Sequence, residues 1–261
     1  MDRGRTNIIA IANHKGGVGK TTTATALASI FAQIGIDTLV IDLDPQCNLT
    51  ETFLKEEPER TAFDLFRSRV CPEPVRIREH LQLVPASLDM SALDVMLGQQ
   101  MERELILADA MDKLEGSWDM VLLDCPPALN TITVNALAAA NEVYVPVVPE
   151  IYPLKGLLRI ENICRTASAR LNPGIGITGI IITRYNPTAT LYRQVESTLR
   201  ENYGDILFET KIRQNVRLAE SPGKNQDIMA YAPGSNGARD YLALAEEILQ
   251  RLHAKARNSS M

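Results

Sequence analysis

The chain has 261 residues, a formal net charge of −5, 45% hydrophobic residues and 23% charged residues. That length and composition suit a soluble α/β protein with a sizeable core, and the acidic balance excludes a global basic field, so any contact with DNA must come from a local patch. Four scattered cysteines, Cys47, Cys71, Cys125 and Cys164, form no C-x-x-C pair, which predicts reduced structural thiols in a cytoplasmic protein and argues against an iron–sulfur site.

In chain order, Met1 to Thr6 lack the apolar core of a signal peptide. Ile8 to Ala12 then reads as a buried strand, and Thr22 to Gln33 as a helix. Between them lies Asn13-His14-Lys15-Gly16-Gly17-Val18-Gly19-Lys20-Thr21-Thr22. Strand, glycine-rich loop and helix in that order form the context of a phosphate-binding loop. Gly16, Gly17 and Gly19 let the backbone around Val18 wrap with its N–H groups facing an anion. The start of the helix, with Thr22, adds unpaired N–H groups and a positive dipole end. Lys20 is placed to reach β- and γ-phosphates, and the Thr21 hydroxyl to ligate Mg²⁺. His14 is expected to neighbour the phosphates.

Thr38 to Ile41 is a second strand, ending in Asp42-Leu43-Asp44-Pro45-Gln46. Two carboxylates at a strand end lie where ligands bind in parallel sheets. Residues 51–79 mix charge and proline and read as surface helix and loop without a motif. Leu81 to Val84, Met120 to Leu123, Val143 to Val148 and Ile177 to Ile182 repeat the apolar strand pattern. Helical patterns run over Ser91–Leu114, Leu129–Ala140, Leu154–Leu171 and Leu191–Tyr203. The alternation predicts a mostly parallel, twisted sheet with helices on both faces, and residues 1–261 as a single domain. The most apolar later region, Val134 to Val148, is interrupted by Asn135, Asn141 and Glu142, so no membrane span is expected. The final helical stretch carries one apolar stripe, Tyr241, Leu242, Ala245, Ile248, Leu249 and Leu252, which suits docking on the sheet. The tail from His253 has no large apolar face, unlike an amphipathic membrane anchor. His80 and His253 read as surface positions, and no nucleophilic dyad, metal cluster or glycosidase pair stands out.

Lys15-Gly16-Gly17-Val18-Gly19-Lys20-Thr21 resembles the deviant phosphate loop of the ParA/MinD ATPases, in which the early lysine reaches across a dimer to the other subunit's nucleotide. The resemblance covers nearly the whole chain. It implies ATP and Mg²⁺ as ligands, a homodimer formed with ATP, and the cross-subunit role for Lys15. It implies that Asp44 orients the attacking water, that Asp42 lies near Mg²⁺, and that Asp124, at the end of the Val121-Leu122-Leu123-Asp124-Cys125-Pro126-Pro127 segment, holds the metal through a water. Thr183-Arg184-Tyr185-Asn186-Pro187 resembles the adenine-side segment; Arg184 would stack on the base, and Ile212, Arg213 and Gln214 would form the other side of that pocket. Asn215 to Lys224 and Tyr231 to Ser235 resemble the Soj/ParA form, without an added helix-turn-helix region. That form implies ATP hydrolysis that stays slow until a ParB-type centromere-binding partner stimulates it, non-specific binding to double-stranded DNA, a cytoplasmic, nucleoid-associated location, and a role in plasmid or chromosome partition. From Arg184 to Lys224 there are seven Lys/Arg and five Asp/Glu. Arg217 is the first DNA-contact candidate, with Arg193, Arg213 and Lys224 behind it. The alternatives are a MinD-like membrane-cycling ATPase, or a related ATPase that positions another cargo.

Overall fold

The computed structural model describes residues 6–113, 117–150 and 153–259. The reading of Met1 to Arg5, the end of the helix predicted to reach Leu114, and Ser260 and Met261 lie outside them. Seven strands form one sheet: β1 (Asn7–Ile11), β2 (Thr38–Asp42), β3 (Val75–Arg78), β4 (Leu81–Val84), β5 (Met120–Asp124), β6 (Glu142–Val147) and β7 (Gly179–Ile182). Their order across the sheet is β3-β4-β2-β5-β1-β6-β7. Every pairing is parallel except β3 with β4. Central strands are covered on both faces, which is why β2 and β5 are buried at every position and appear in sequence as unbroken apolar runs.

Two apolar layers flank the sheet. One packs α1 (Lys20–Gln33), α10 (Ile228–Tyr231) and α11 (Asn236–Ser259) against Ile9, Ile11, Val40 and Leu122. The other packs α3 (Ala62–Ser68), α5 (Ile106–Asp112), α6 (Thr131–Ala139), α7 (Pro153–Arg170) and α8 (Thr190–Tyr203) against Ala10, Leu39, Ile41 and Leu123. Neighbouring strand residues enter opposite layers, as the period of two requires. The stripe of α11 supplies Tyr241, Leu244, Ala245, Ile248 and Leu252 to the first layer.

Two local expectations are corrected, and one edge segment is new. Residues 51–79 contain β3, whose alternating Val-Arg-Ile-Arg makes a short antiparallel edge; Arg78 fastens it by donating to Asp227 at 2.6 Å and Ser29 at 2.8 Å. The helix predicted over Ser91–Leu114 is broken into a 3₁₀ turn (Leu88–Ala92), α4 (Leu93–Met96) and α5. Glu102, in the left-handed region at φ 55°, stops continuous helix between α4 and α5, and Asn135 of α6 accepts the N–H of Leu107 at 3.0 Å to start α5. Residues 206–213 add a broken edge to β7, with Phe208 donating to the Ile180 carbonyl at 2.9 Å and Ile212 to that of Ile182 at 2.8 Å.

β1 lies between β5 and β6, yet the chain leaves it for β2 on the far side of β5. The strand order therefore reverses beside the carboxyl end of β1, the place where an open parallel sheet leaves a crevice for a ligand.

Candidate nucleotide site

The loop after β1 occupies that crevice. Gly17 and Gly19 stand at φ 72° and 93°, where a side chain would be strained, and Gly16 and Gly17 are exposed. Gly19 is the N-cap of α1, which has no side-chain cap and no acidic residue in its first turn. Three other helices carry side-chain caps, Thr61 on α3, Asn130 on α6 and Asp227 on α10, whereas α4, α5 and α8 do not. The opening N–H groups of α1 are thus left to an outside acceptor, and an anion is the natural one.

Lys20 opens α1 and is buried, with its amine donating to the Lys15 carbonyl at 3.2 Å. Burial lowers its pKa, while Asp124, Cys125 and Asp44 pull it back up. Asp124 ends β5 fully buried, and neither carboxylate oxygen has a hydrogen-bond partner. Burial and then the adjacent Asp42 push its pKa well above the usual carboxylate range, against Thr21 and Lys20. A buried carboxylate without partners is costly by itself, and a bound cation or its water would satisfy it.

Asp42 is paired in register with Asp124 across β2 and β5. Its situation is the opposite. It accepts the Thr50 N–H at 2.9 Å, the Thr50 hydroxyl at 2.7 Å and the Asp44 N–H at 3.1 Å. Burial raises its pKa to about 6 against those bonds. Asp42 is thus engaged with its own loop, and Asp124 is the carboxylate with open lone pairs. Asp44 reaches the cleft and accepts the Gln46 N–H at 3.0 Å, an Asx turn that fixes its carboxylate.

Gly16, Gly17, Gly19, Lys20, Thr21 and Thr22 floor a cleft of about 640 Å³ that also takes in Asp44 and Pro127. Its far wall holds Arg184, Ile212, Arg213 and Gln214, so the two segments expected on either side of a base meet the loop in one cavity. They are laced together: Tyr185 donates to the Ile212 carbonyl at 2.9 Å, and Gln214 to that of Tyr185 at 3.0 Å. Arg184, at φ 52°, sends its guanidinium toward the Gly17 carbonyl. Val18 is buried below the loop, where its carbonyl accepts the Thr183 hydroxyl at 2.8 Å.

Sequence reasoning did not find several members of the site. Tyr241 of α11 and Leu218 of α9 (Val216–Glu220) line the cleft. Asp240 grips Arg213 with two oxygens, at 2.6 Å and 3.0 Å. This pair holds Arg213 at the cleft wall with its side chain still part-exposed. Of the other DNA-contact candidates, Arg193 on α8 and Lys224 are exposed, and Arg217 is exposed but paired with Glu220 at 2.9 Å. The periodic apolar pattern of α11 marked its core face and gave no sign of Asp240.

Lys15 and His14 line a second recess and not the cleft. The Lys15 amine pairs with Glu150 at the mouth of this recess, lined also by His14, Val148, Lys155 and Arg159. His14 is half-buried there, with Nδ1 unpartnered and its pKa lowered by burial first and then by Arg159, Lys15 and Lys20.

Comparison with known proteins agrees with this geometry. The model of a family described as AAA domain matches residues 6–177. The chain is 41% identical over 252 residues to the chromosome-partitioning ATPase Soj of Thermus thermophilus, covering 97% of this chain and 99% of that one. It is 35% identical over 251 residues to the chromosome partitioning protein ParA of Caulobacter vibrioides, covering 94% of each. Among solved structures, cobyrinic acid a,c-diamide synthase from Mycobacterium smegmatis, with bound ATP analogue and magnesium, superposes with a TM-score of 0.82 at 29% identity, covering 96% of this chain and 97% of that one. The uncapped, lysine-bearing loop after β1, the aspartate ending β5 and near full-length identity to two partition proteins place this chain in the ParA/Soj family of P-loop ATPases.

Proposed function

We propose that this chain binds ATP with Mg²⁺, dimerises on it, hydrolyses it slowly until stimulated, and as the ATP dimer binds double-stranded DNA without sequence preference. The setting is plasmid or chromosome partition with a ParB-type partner, in the cytoplasm and on the nucleoid, with residues 1–261 acting as one nucleotide-binding domain. The observation that carries the reading is a buried Lys20 near the unsatisfied oxygens of Asp124 at the uncapped start of α1. Phosphates fit the N–H groups and the ammonium; Thr21 and Asp124 would hold the metal. Among the described residues no group of three or more His, Cys, Asp or Glu could hold an ion. That suits Mg²⁺, which binds through one or two protein oxygens, phosphates and its own waters. When bound, the ion neutralises charge on the β- and γ-phosphate oxygens. Asp44, fixed by its Asx turn, accepts a hydrogen bond from the attacking water and sets its line of approach. Arg184 and the wall at 212–214 hold the base side.

Lys15 supports the dimer because its amine faces out of its own cleft. Arg193, Arg217 and Lys224 are the DNA contacts. Two copies side by side gain avidity that one lacks. No described helix is long and apolar enough to cross a membrane, and the stripe of α11 is covered by the core, so a MinD-like anchor is the weaker reading. Filter binding to random duplex DNA with ATP, ADP or no nucleotide tests the whole. Retention should require ATP and fall about a hundredfold between about 50 and about 200 mM salt for about four phosphate contacts. Equal retention with ADP and ATP, or none with either, would move the reading to an ATPase that positions another cargo.

A further inference from the structure

Thr50, on the short helix α2 (Asn48–Phe53), is no part of the cleft lining, yet two other segments meet at its N–H and hydroxyl, one through the Asp42 carboxylate and one through the Ala86 N–H. Its N–H and hydroxyl both donate to one oxygen of Asp42, at 2.9 Å and 2.7 Å. The other Asp42 oxygen accepts the Asp44 N–H at 3.1 Å. The Thr50 hydroxyl oxygen in turn accepts the N–H of Ala86, in the loop after β4, at 2.8 Å. The hydroxyl is used as donor and acceptor at once, inside a site where Thr50 is 5% and Asp42 0% exposed.

We propose that Thr50 is a positioning residue for hydrolysis, acting on the attacking water through Asp42 and the Asp44 backbone; this rests on the ATPase reading above. Thr50 fixes the Asp42 carboxylate, Asp42 fixes the Asp44 N–H, and the Asx turn at Gln46 completes the rigid path to the Asp44 carboxylate. With the Thr50 hydroxyl removed, Asp42 keeps one donor on that oxygen, and Ala86 N–H loses its acceptor. The segment 42–47 gains freedom, and water orientation is sensitive to shifts below an ångström. The phosphate loop makes no hydrogen bond to Thr50, so ATP affinity is untouched.

The test uses Thr50→Val, which keeps the shape, and Thr50→Ser, which restores the hydroxyl. Thr50→Val should lower kcat about tenfold to a hundredfold with KM for ATP unchanged, and Thr50→Ser should recover most of it. In an Asp44→Ala background, Thr50→Val should lower the rate no further, because the group it positions is gone. Amide hydrogen exchange of residues 42–47 in the nucleotide-free protein should quicken in Thr50→Val and not in Thr50→Ser, by more than the accompanying fall in melting temperature imposes on the rest of the chain. Unchanged exchange, a full further loss of rate on the Asp44→Ala background, or a raised KM in place of a lowered kcat overturns the proposal. If the unaltered protein shows no turnover at all, the ATPase reading falls, and the exchange comparison still decides whether Thr50 holds the segment.

Discussion

Asp42 and Asp124 end neighbouring strands at the same level, but their surroundings differ. Thr50 and the Asp44 backbone satisfy Asp42; nothing in the chain satisfies Asp124. The difference sorts a carboxylate that shapes a loop from one that awaits a cation. Lys20 is the counterpart cation at the start of α1, buried and with donors to spare. Lys20→Ala should weaken ATP about tenfold to a hundredfold, the loss of a charge-assisted bond in a sheltered site, as measured by titration calorimetry. Asp44→Ala should leave that affinity near normal and slow hydrolysis about a hundredfold in a phosphate-release assay, because only the water loses its partner. Turnover at the unaltered rate in Asp44→Ala would remove Asp44 from the chemistry.

At the scale of elements, packing against β7 is tight enough to forbid a single methyl. A Cβ on Gly179 would lie 2.7 Å from the Tyr144 ring and closer still to Phe208, two rings in edge contact with centroids 5.2 Å apart. Gly179→Ala should cost about 1–3 kcal/mol through overpacking, seen as a lower urea midpoint with an unchanged slope. The same scale explains what the sequence disclosed. β1, β2 and β5 were legible because burial on both faces leaves unbroken apolar runs. The loop after β1 was legible because its residues are contiguous and its glycines have a backbone reason. β3 was not, being four residues with arginine at alternate places. The break between α4 and α5 was hidden because part of its cause, Asn135, lies on another helix. Thr50 gave no pattern, since a threonine in a six-residue helix looks like any other. Asp240 was hidden by the long range of its pairing with Arg213, and the empty acceptors of Asp124 exist only once the fold has closed around them.

For the whole molecule, the phosphate floor and the outward lysine face different spaces. Lys15 contributes its carbonyl to Lys20 and its amine to the recess beside Glu150. An amine that lies outside its own cleft, on the exposed Glu150, can exchange that partner for a phosphate brought by another copy. Lys15→Ala should therefore stay folded and keep ATP, yet remain a monomer by light scattering with a non-hydrolysable ATP analogue. Dimerisation like that of the unaltered protein would show that the lysine has no part in assembly.

The Arg213–Asp240 pair and the meeting of the Tyr241 and Thr23 hydroxyls at 3.1 Å join α11 to the base-side wall and to α1. Residues 16–52, with Pro127, thus form one side of the cleft, and residues beyond 180 the other. On a ribosome, the loop that grips phosphate emerges early and waits. Until the segment carrying Asp240 has left the exit tunnel and docked, the growing chain has a phosphate floor without a far wall. The far wall is therefore complete only when α11 is docked, so a chain cut before Asp240 should bind nucleotide more weakly than the whole one, as titration calorimetry would show.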